Sequence, residues 1–407
     1  MGAHLVPDAT PVIFAVNHPN GLIDPLFLLA FLPRRVSFLA KAPLFTMPLI
    51  GYFVRAFESV PVYRKQDNVA GTHAETFAKA RQILGSGGAI ALFPEGTTHS
   101  DPRLREFKTG AARIALGSAL PELAIVPAGI YYTEKQTFRS QALIAFGEPI
   151  RVSGMRVDGE PPTEAVIDLT DKIEASLATL TLQADSHTAL ELIAKAEDIF
   201  SSDPDQPLVE ELELRRRFIA GYHLLREQDE VRLRRVESEI RRFEAELGRA
   251  GLEPHELRPR IAAGAIARIV LLLPIAIIGM VAHYIPYLII DVLSRRFSRG
   301  ASELTATVKF VAALALYPLT WIAISIGAWL VADARFAVAA LLLLPITGYV
   351  ALRMLEATDD VVGRIGAVFH RLFKRDAHEA LVERRRAIRR EIAELAEELD
   401  VVAARRA

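Results

Sequence analysis

The chain has no cysteine and only two tryptophans, and its charges almost cancel: 48 lysines and arginines face 49 aspartates and glutamates, for a formal net charge of -1. The missing thiols exclude disulfides and thiolate metal sites and fit a reducing compartment. Without an excess of positive charge the chain is no general nucleic-acid binder, and no nucleic-acid partner is expected. Its start, MGAHLVPDATPVIFAVNHPNG, carries neither a basic leader nor a cleavage-site pattern, so no signal peptide is expected.

What is present is segregated along the chain. Of the 407 residues 51% are hydrophobic and 24% charged, with a mean hydropathy of +0.24. Residues 1–160 read as an α/β domain, a mixed sheet flanked by helices. TPVIFAV, GGAIALF, ELAIVPAGI and ALIAFG have the apolar character of strands, and DNVAGTHAETFAKARQIL (67–84) and FKTGAARIALGSA (107–119) have helical spacing. Residues 161–260 read as a polar, amphipathic helical extension.

The following region, 261–355, is mostly helical and membrane-associated. IVLLLPIAIIGMVAHYIPYLII, FVAALALYPLTWIAISIGAWLVA and FAVAALLLLPITGYVAL are almost free of charge, and only DAR separates the last two, which predicts a hairpin over 310–352. Arg295, Arg296, Arg299 and Arg353 flank that hairpin and place its ends in the cytoplasm. A catalytic domain on the same side then requires 269–290, with Pro274, Gly279 and Pro286, to be re-entrant or interfacial. Residues 356–407 form a charged cytoplasmic helix. The expected location is the inner or plasma membrane, with the bilayer itself as a partner.

The chemistry lies early. FAVNHPNGLIDPL ends an apolar strand at an amide, His18 and a proline, with Asp24 shortly after. A carboxylate can hold an imidazole in one tautomer and stabilise its protonated form, which makes the ring a general base. Alone, the pair reads more readily as a histidine capping a turn. A second strand changes that balance. ALFPEGTTHSDPRLREFKTGAARIAL stops at Pro94, Glu95 and Gly96, followed by Thr97, Thr98, Arg103, Arg105 and Lys108 before a helix. Hydroxyls, basic side chains and helix-start N–H groups suit a phosphate. In SVPVYRKQDN, Arg64 and Lys65 likewise follow a short strand.

NHPNGLIDP, VPVYR, FPEGTTHS and IVPAGI stand in the order and approximate spacing of the four motif blocks of glycerolipid acyltransferases, and residues 10–150 resemble that family. The resemblance implies His18 as catalytic base with Asp24 as its partner, and Arg64, Glu95, Gly96 and Thr97 on the acceptor side with Arg103 or Lys108 assisting. Pro127 falls in the fourth block, linked to the acyl donor. It implies acyl transfer from an acyl thioester, on coenzyme A or an acyl carrier protein, to glycerol-3-phosphate or a related small phosphate in phospholipid biosynthesis, with no cofactor and no metal. The alternatives are a 1-acylglycerol-3-phosphate acyltransferase, an acyl-thioester hydrolase and a non-catalytic membrane scaffold. Five residues separate His18 from Asp24 where the common bacterial form has four, and Thr98 stands where an arginine is usual. Both departures, with the long C-terminal region, resemble the fungal glycerol-3-phosphate acyltransferase subgroup.

Overall fold

The computed structural model describes residues 1–32, 34–47, 50–63, 71–154, 160–201, 207–257, 263–298 and 301–406. Strands and helices alternate first, as β1 (Val12–Val16), α1 (Ile23–Phe31), β2 (Ser37–Lys41), α2 (Ile50–Ala56), β3 (Val60–Val62), α3 (His73–Gly85), β4 (Ala89–Leu92), α4 (Gly110–Leu116), β5 (Leu123–Tyr132), β6 (Ala142–Phe146), β7 (Ile150–Val152) and α5 (Thr163–Ala178). Helices follow: α6 (His187–Phe200), α7 (Leu208–Gln228), α8 (Glu230–Ala250), α9 (Ala263–Ser298), α10 (Ser302–Val331), α11 (Ala334–Phe373) and α12 (Arg375–Arg406).

The strands form one mixed sheet in the order β3-β2-β4-β1-β5-β6, with β7 also on β5. β1 runs parallel to β4 and β5, while β6 and β7 are antiparallel to β5. Every residue of β1 and β4 is buried, as befits interior strands covered on both faces. Alternation sorts β1 between two cores. Ile13 and Ala15 join Leu84, Ile114, Ile173 and Leu177 of α3, α4 and α5, while Val12, Phe14 and Val16 join Leu28 of α1. Each large side chain so buried stabilises the fold by about 1.5–3 kcal/mol. The strands are therefore fixed, and the C-terminal ends of β1, β4 and β5 lie side by side.

The chain divides into two compact units, Met1–Ser186 with Ala301–Thr307, and His187–Gly300 with Val308–Ala407. The first unit runs past the expected boundary at residue 160 because Val166, Leu169, Ile173 and Leu177 of α5 complete a layer over the sheet. In the second unit Leu192 and Ile199 of α6, Ile240 and Phe243 of α8, and Leu381, Ile388 and Ile392 of α12 share one core.

Three segments of that helical region, Arg268–Ser298, Glu303–Val331 and Ala334–Thr358, are long and apolar enough to cross a membrane. Large apolar side chains on them stand exposed, among them Leu271, Leu330 and Val331, a surface suited to lipid. The tight connection after α10 is closed by Asp333, whose carboxylate accepts from the N–H groups of Arg335 and Phe336. The prolines of 269–290 do not break the helix. Pro274 and Pro286 lie inside a continuous α9, since in such apolar helices proline removes one ladder bond without ending the helix.

Candidate active site

The loop after β1 brings His18 back onto Asp24. The ring Nδ1 and Asp24 Oδ2 are 2.8 Å apart. Asp24 is wholly buried in the first turn of α1, and a carboxylate there must be fully hydrogen-bonded to remain charged. Oδ2 also accepts from the Asn20 N–H at 2.7 Å, and Oδ1 from the Tyr132 hydroxyl at 2.6 Å. Burial, assisted by the charge of Asp24, pushes the Tyr132 phenol well above the usual tyrosine range, which keeps it a donor. Phe93, just past β4, stacks on the His18 ring at 3.8 Å between centroids and 11° between planes. With Nδ1 turned to Asp24, Nε2 is left unengaged by the described residues. Asn17 ties the base of this loop to β5, donating to Ile130 O at 3.1 Å and accepting from Ile130 N at 2.6 Å.

The loop after β4 braces the histidine from the other side. Glu95 is buried and turns inward: Oε1 accepts from the His18 N–H at 3.2 Å, and Oε2 from the Arg105 N–H at 2.9 Å and from His99 Nε2. The Asp101 N–H donates to His99 Nδ1 at 3.1 Å, which puts the ring proton on Nε2, toward Glu95. The His99 N–H in turn donates to His18 O at 3.2 Å. The resemblance set Glu95 on the acceptor; in the structure both its oxygens are engaged by the protein, and it holds the histidine loop.

The remaining expected acceptor residues separate. Gly96 adopts φ 71°, a left-handed turn open to glycine, and its missing Cβ would stand 3.3 Å from Lys108 Cγ. Among the described residues the Thr97 and Thr98 N–H groups have no acceptor, and the Lys108 ammonium, exposed beside this turn, has no partner. Arg103 is drawn away: its Nε donates to Ala184 O at 3.1 Å and its guanidinium pairs with Asp185. Arg105 likewise binds Asp101 at 2.5 Å, a hydrogen bond that raises its pKa. Arg64 lies outside the described residues.

Sequence reasoning missed Tyr132, Asn20 and His99. The spacing of His99 from Glu95, i to i+4, and the polar tip of IYY at the end of β5 were the available signals.

Residues 1–131 match the acyltransferase family, and residues 200–401 match the glycerol-3-phosphate acyltransferase 2 C-terminal domain. Glycerol-3-phosphate O-acyltransferase 2 of Saccharomyces cerevisiae is 28% identical over 283 residues, 62% of this chain and 38% of that protein. Glycerol-3-phosphate O-acyltransferase 1 of the same yeast is 25% identical over 328 residues, 56% of this chain and 43% of that one. A chloroplastic 1-acyl-sn-glycerol-3-phosphate acyltransferase of Arabidopsis thaliana is 29% identical over 126 residues, 31% and 33% of the two chains. The crystal structure of the 1-acyl-sn-glycerophosphate acyltransferase of Thermotoga maritima matches with a TM-score of 0.33 at 20% identity, over 43% of this chain and 67% of that one. The chain spans about half the length, or less, of the curated relatives it matches. The chain thus carries an N-terminal acyltransferase domain followed by a C-terminal domain of the glycerol-3-phosphate acyltransferase 2 type.

Proposed function

We propose that the chain transfers a fatty acyl group from an acyl thioester to the hydroxyl of glycerol-3-phosphate or a related small phosphate, in phospholipid synthesis. The observation that carries this reading is the His18–Asp24 pair at the end of β1, with Nε2 unengaged by the described residues. His18 Nε2 takes the proton of the acceptor hydroxyl, whose oxygen attacks the thioester carbonyl. Asp24 stabilises the imidazolium that forms. The tetrahedral intermediate collapses and expels a thiolate, which needs no separate acid. The unpaired N–H groups of Thr97 and Thr98 are the candidates for holding the oxyanion. Lys108 and Arg64 are the candidates for the acceptor phosphate, orienting its hydroxyl rather than merely capturing it.

Membrane attachment follows through α10 and α11. Residues 1–186 and 301–307 belong to one compact unit, so the chain between them crosses an even number of times. The shared core of α8 and α12 imposes the same parity on the chain between those helices. Two crossings, α10 and α11, satisfy both conditions, with α9 completing none. The basic flanks of this hairpin favour a cytoplasmic catalytic domain.

The test is purified full-length protein given an acyl thioester, on coenzyme A or on an acyl carrier protein, with labelled glycerol-3-phosphate, dihydroxyacetone phosphate or lysophosphatidic acid in parallel. Ester formation on a small phosphate, lost in His18→Ala, is expected. Exclusive use of lysophosphatidic acid replaces the acceptor, and thioester hydrolysis indifferent to any acceptor overturns the transfer reading.

A further inference from the structure

We infer that the first turns of α10 form part of the catalytic apparatus, with Thr307 and Glu303 as positioning residues for the loop that carries His18 and Asp24. The inference rests on the acyl-transfer reading and adds residues far from every motif block. Residues 301–307 belong to the same compact unit as the sheet.

Two ties converge on the loop. Leu22 is the N-cap of α1 and gives it no side-chain cap, and its N–H donates to Thr307 Oγ1 at 3.0 Å. The helix start thus takes from α10 a partner for an N–H that its own backbone does not satisfy. Through the second tie, Glu303 Oε2 accepts from Ser100 Oγ at 3.2 Å, and Ser100 Oγ accepts from Lys135 Nζ at 2.5 Å. The carbonyl of Lys135 accepts from Asn20 Nδ2 at 3.0 Å, and the Asn20 N–H holds Asp24. The residues on either side of Gly21 are therefore both held, directly or by relay, from the start of α10.

Gly21 itself records the contact. Its φ is 39°, and a Cβ there would stand 2.5 Å from Thr307 Oγ1 and 3.0 Å from the Glu303 carbonyl. The glycine of NHPNG is required both by the turn and by the closeness of α10. Displacing residues 301–307 shifts Asn20 and Leu22, hence the carboxylate that orients the base. Misplacement by an ångström is enough to slow a positioned reaction on the order of a hundredfold.

The experiment uses full-length protein in detergent and reads kcat and both KM values separately, with the melting temperature alongside. Thr307→Val removes the acceptor oxygen at nearly constant shape; kcat should fall ~10- to 100-fold with both KM values within about twofold. Thr307→Ser, which restores the oxygen, should recover most of the loss. Thr320→Val removes a hydroxyl that, among the described residues, bonds only within α10, to Leu316 O at 2.8 Å, and should leave kcat unchanged. If Thr307→Val melts early, Ser100→Ala takes its place, since it cuts the Glu303–Lys135 relay and leaves α10 intact; the same fall in kcat is expected. Full kcat in the stable variant, with His18→Ala inactive, overturns the inference and leaves the acyl-transfer reading standing. An active His18→Ala overturns that reading itself.

Discussion

The Tyr132 hydroxyl meets Asp24 Oδ1 at 2.6 Å, on the side of the carboxylate opposite His18. A phenol from the end of β5 thereby completes the hydrogen bonding of a buried charge. Tyr132→Phe should lower kcat about tenfold, the scale of one hydrogen bond to a charged group, with both KM values steady. Asp24→Asn should lose more, because an amide stabilises the imidazolium poorly. A Tyr132→Phe enzyme with full turnover would show that the third hydrogen bond is dispensable.

The same contact sets an alkaline dependence of stability. Burial, then the charge of Asp24, raise the folded-state pKa of Tyr132 above its unfolded value. The stabilisation from the neutral phenol is complete below about pH 10, the unfolded tyrosine range. It declines as pH rises from there toward the folded value, because the unfolded state loses its proton first. Melting temperatures of wild type and Tyr132→Phe, followed from pH 8 to about 11, should fall more steeply for the wild type. Parallel curves would remove Tyr132 as the source.

Glu95 separates a brace from a ligand. Its oxygens serve His18 N–H, Arg105 N–H and His99, and each group left unpaired costs about 1–3 kcal/mol. Glu95→Ala should therefore destabilise the first unit strongly. Glu95→Gln, which keeps one carbonyl acceptor, should be milder, lowering kcat with little change in acceptor KM. A selective rise in acceptor KM would instead mean that the carboxylate touches substrate.

The basic residues divide by their partners. Arg103 is bound to Ala184 and Asp185, so Arg103→Ala should leave acceptor KM within about twofold and lower the melting temperature. Lys108→Ala and Arg64→Ala should each raise acceptor KM about tenfold, the scale of one charge-assisted contact, without altering the thioester KM. Arg64→Lys should recover only part, for want of the planar fork. Equal effects of Arg103→Ala and Lys108→Ala on acceptor KM would contradict this division.

Much of the candidate site's layout is legible along the chain because its parts are local. β1, β4 and β5 show as apolar runs, and His18, on the loop after β1, lies only six residues before Asp24 in the first turn of α1. The rest depends on pairings between distant segments. Nothing near Asp24 announces Tyr132, and nothing near Gly21 announces Thr307. The direction of Glu95 was hidden for the same reason: a glutamate after a strand reads equally as ligand or brace until His99 and the amides of His18 and Arg105 close around it. Arg103 misleads because its partner Asp185 belongs to a segment past α5. β2 and β7, short and lacking long apolar runs, become evident only by pairing with β4 and β5.

The absence of cysteine makes the crossing number directly measurable, since each introduced thiol is unique. Ser86, Ser238, Ala332 and Ala377 are exposed and lie, in turn, in the first unit, on α8, at the α10–α11 turn and on α12. Replaced singly by cysteine in membrane vesicles, Ser86, Ser238 and Ala377 should react with an impermeant maleimide from one face and Ala332 only from the other. The core joining Ile240 and Phe243 to Leu381 and Ile388 requires Ser238 and Ala377 to share a face, because α8 and α12 cannot pack together across a bilayer. Three full crossings would put Ser238 and Ala377 on opposite faces and break that core. Labelling of all four sites from one face would mean that α10 and α11 lie on the membrane without spanning it. The expected pattern, one site against three, requires two crossings and leaves α9 packed beside the hairpin, with the His18 loop held from the first turns of α10.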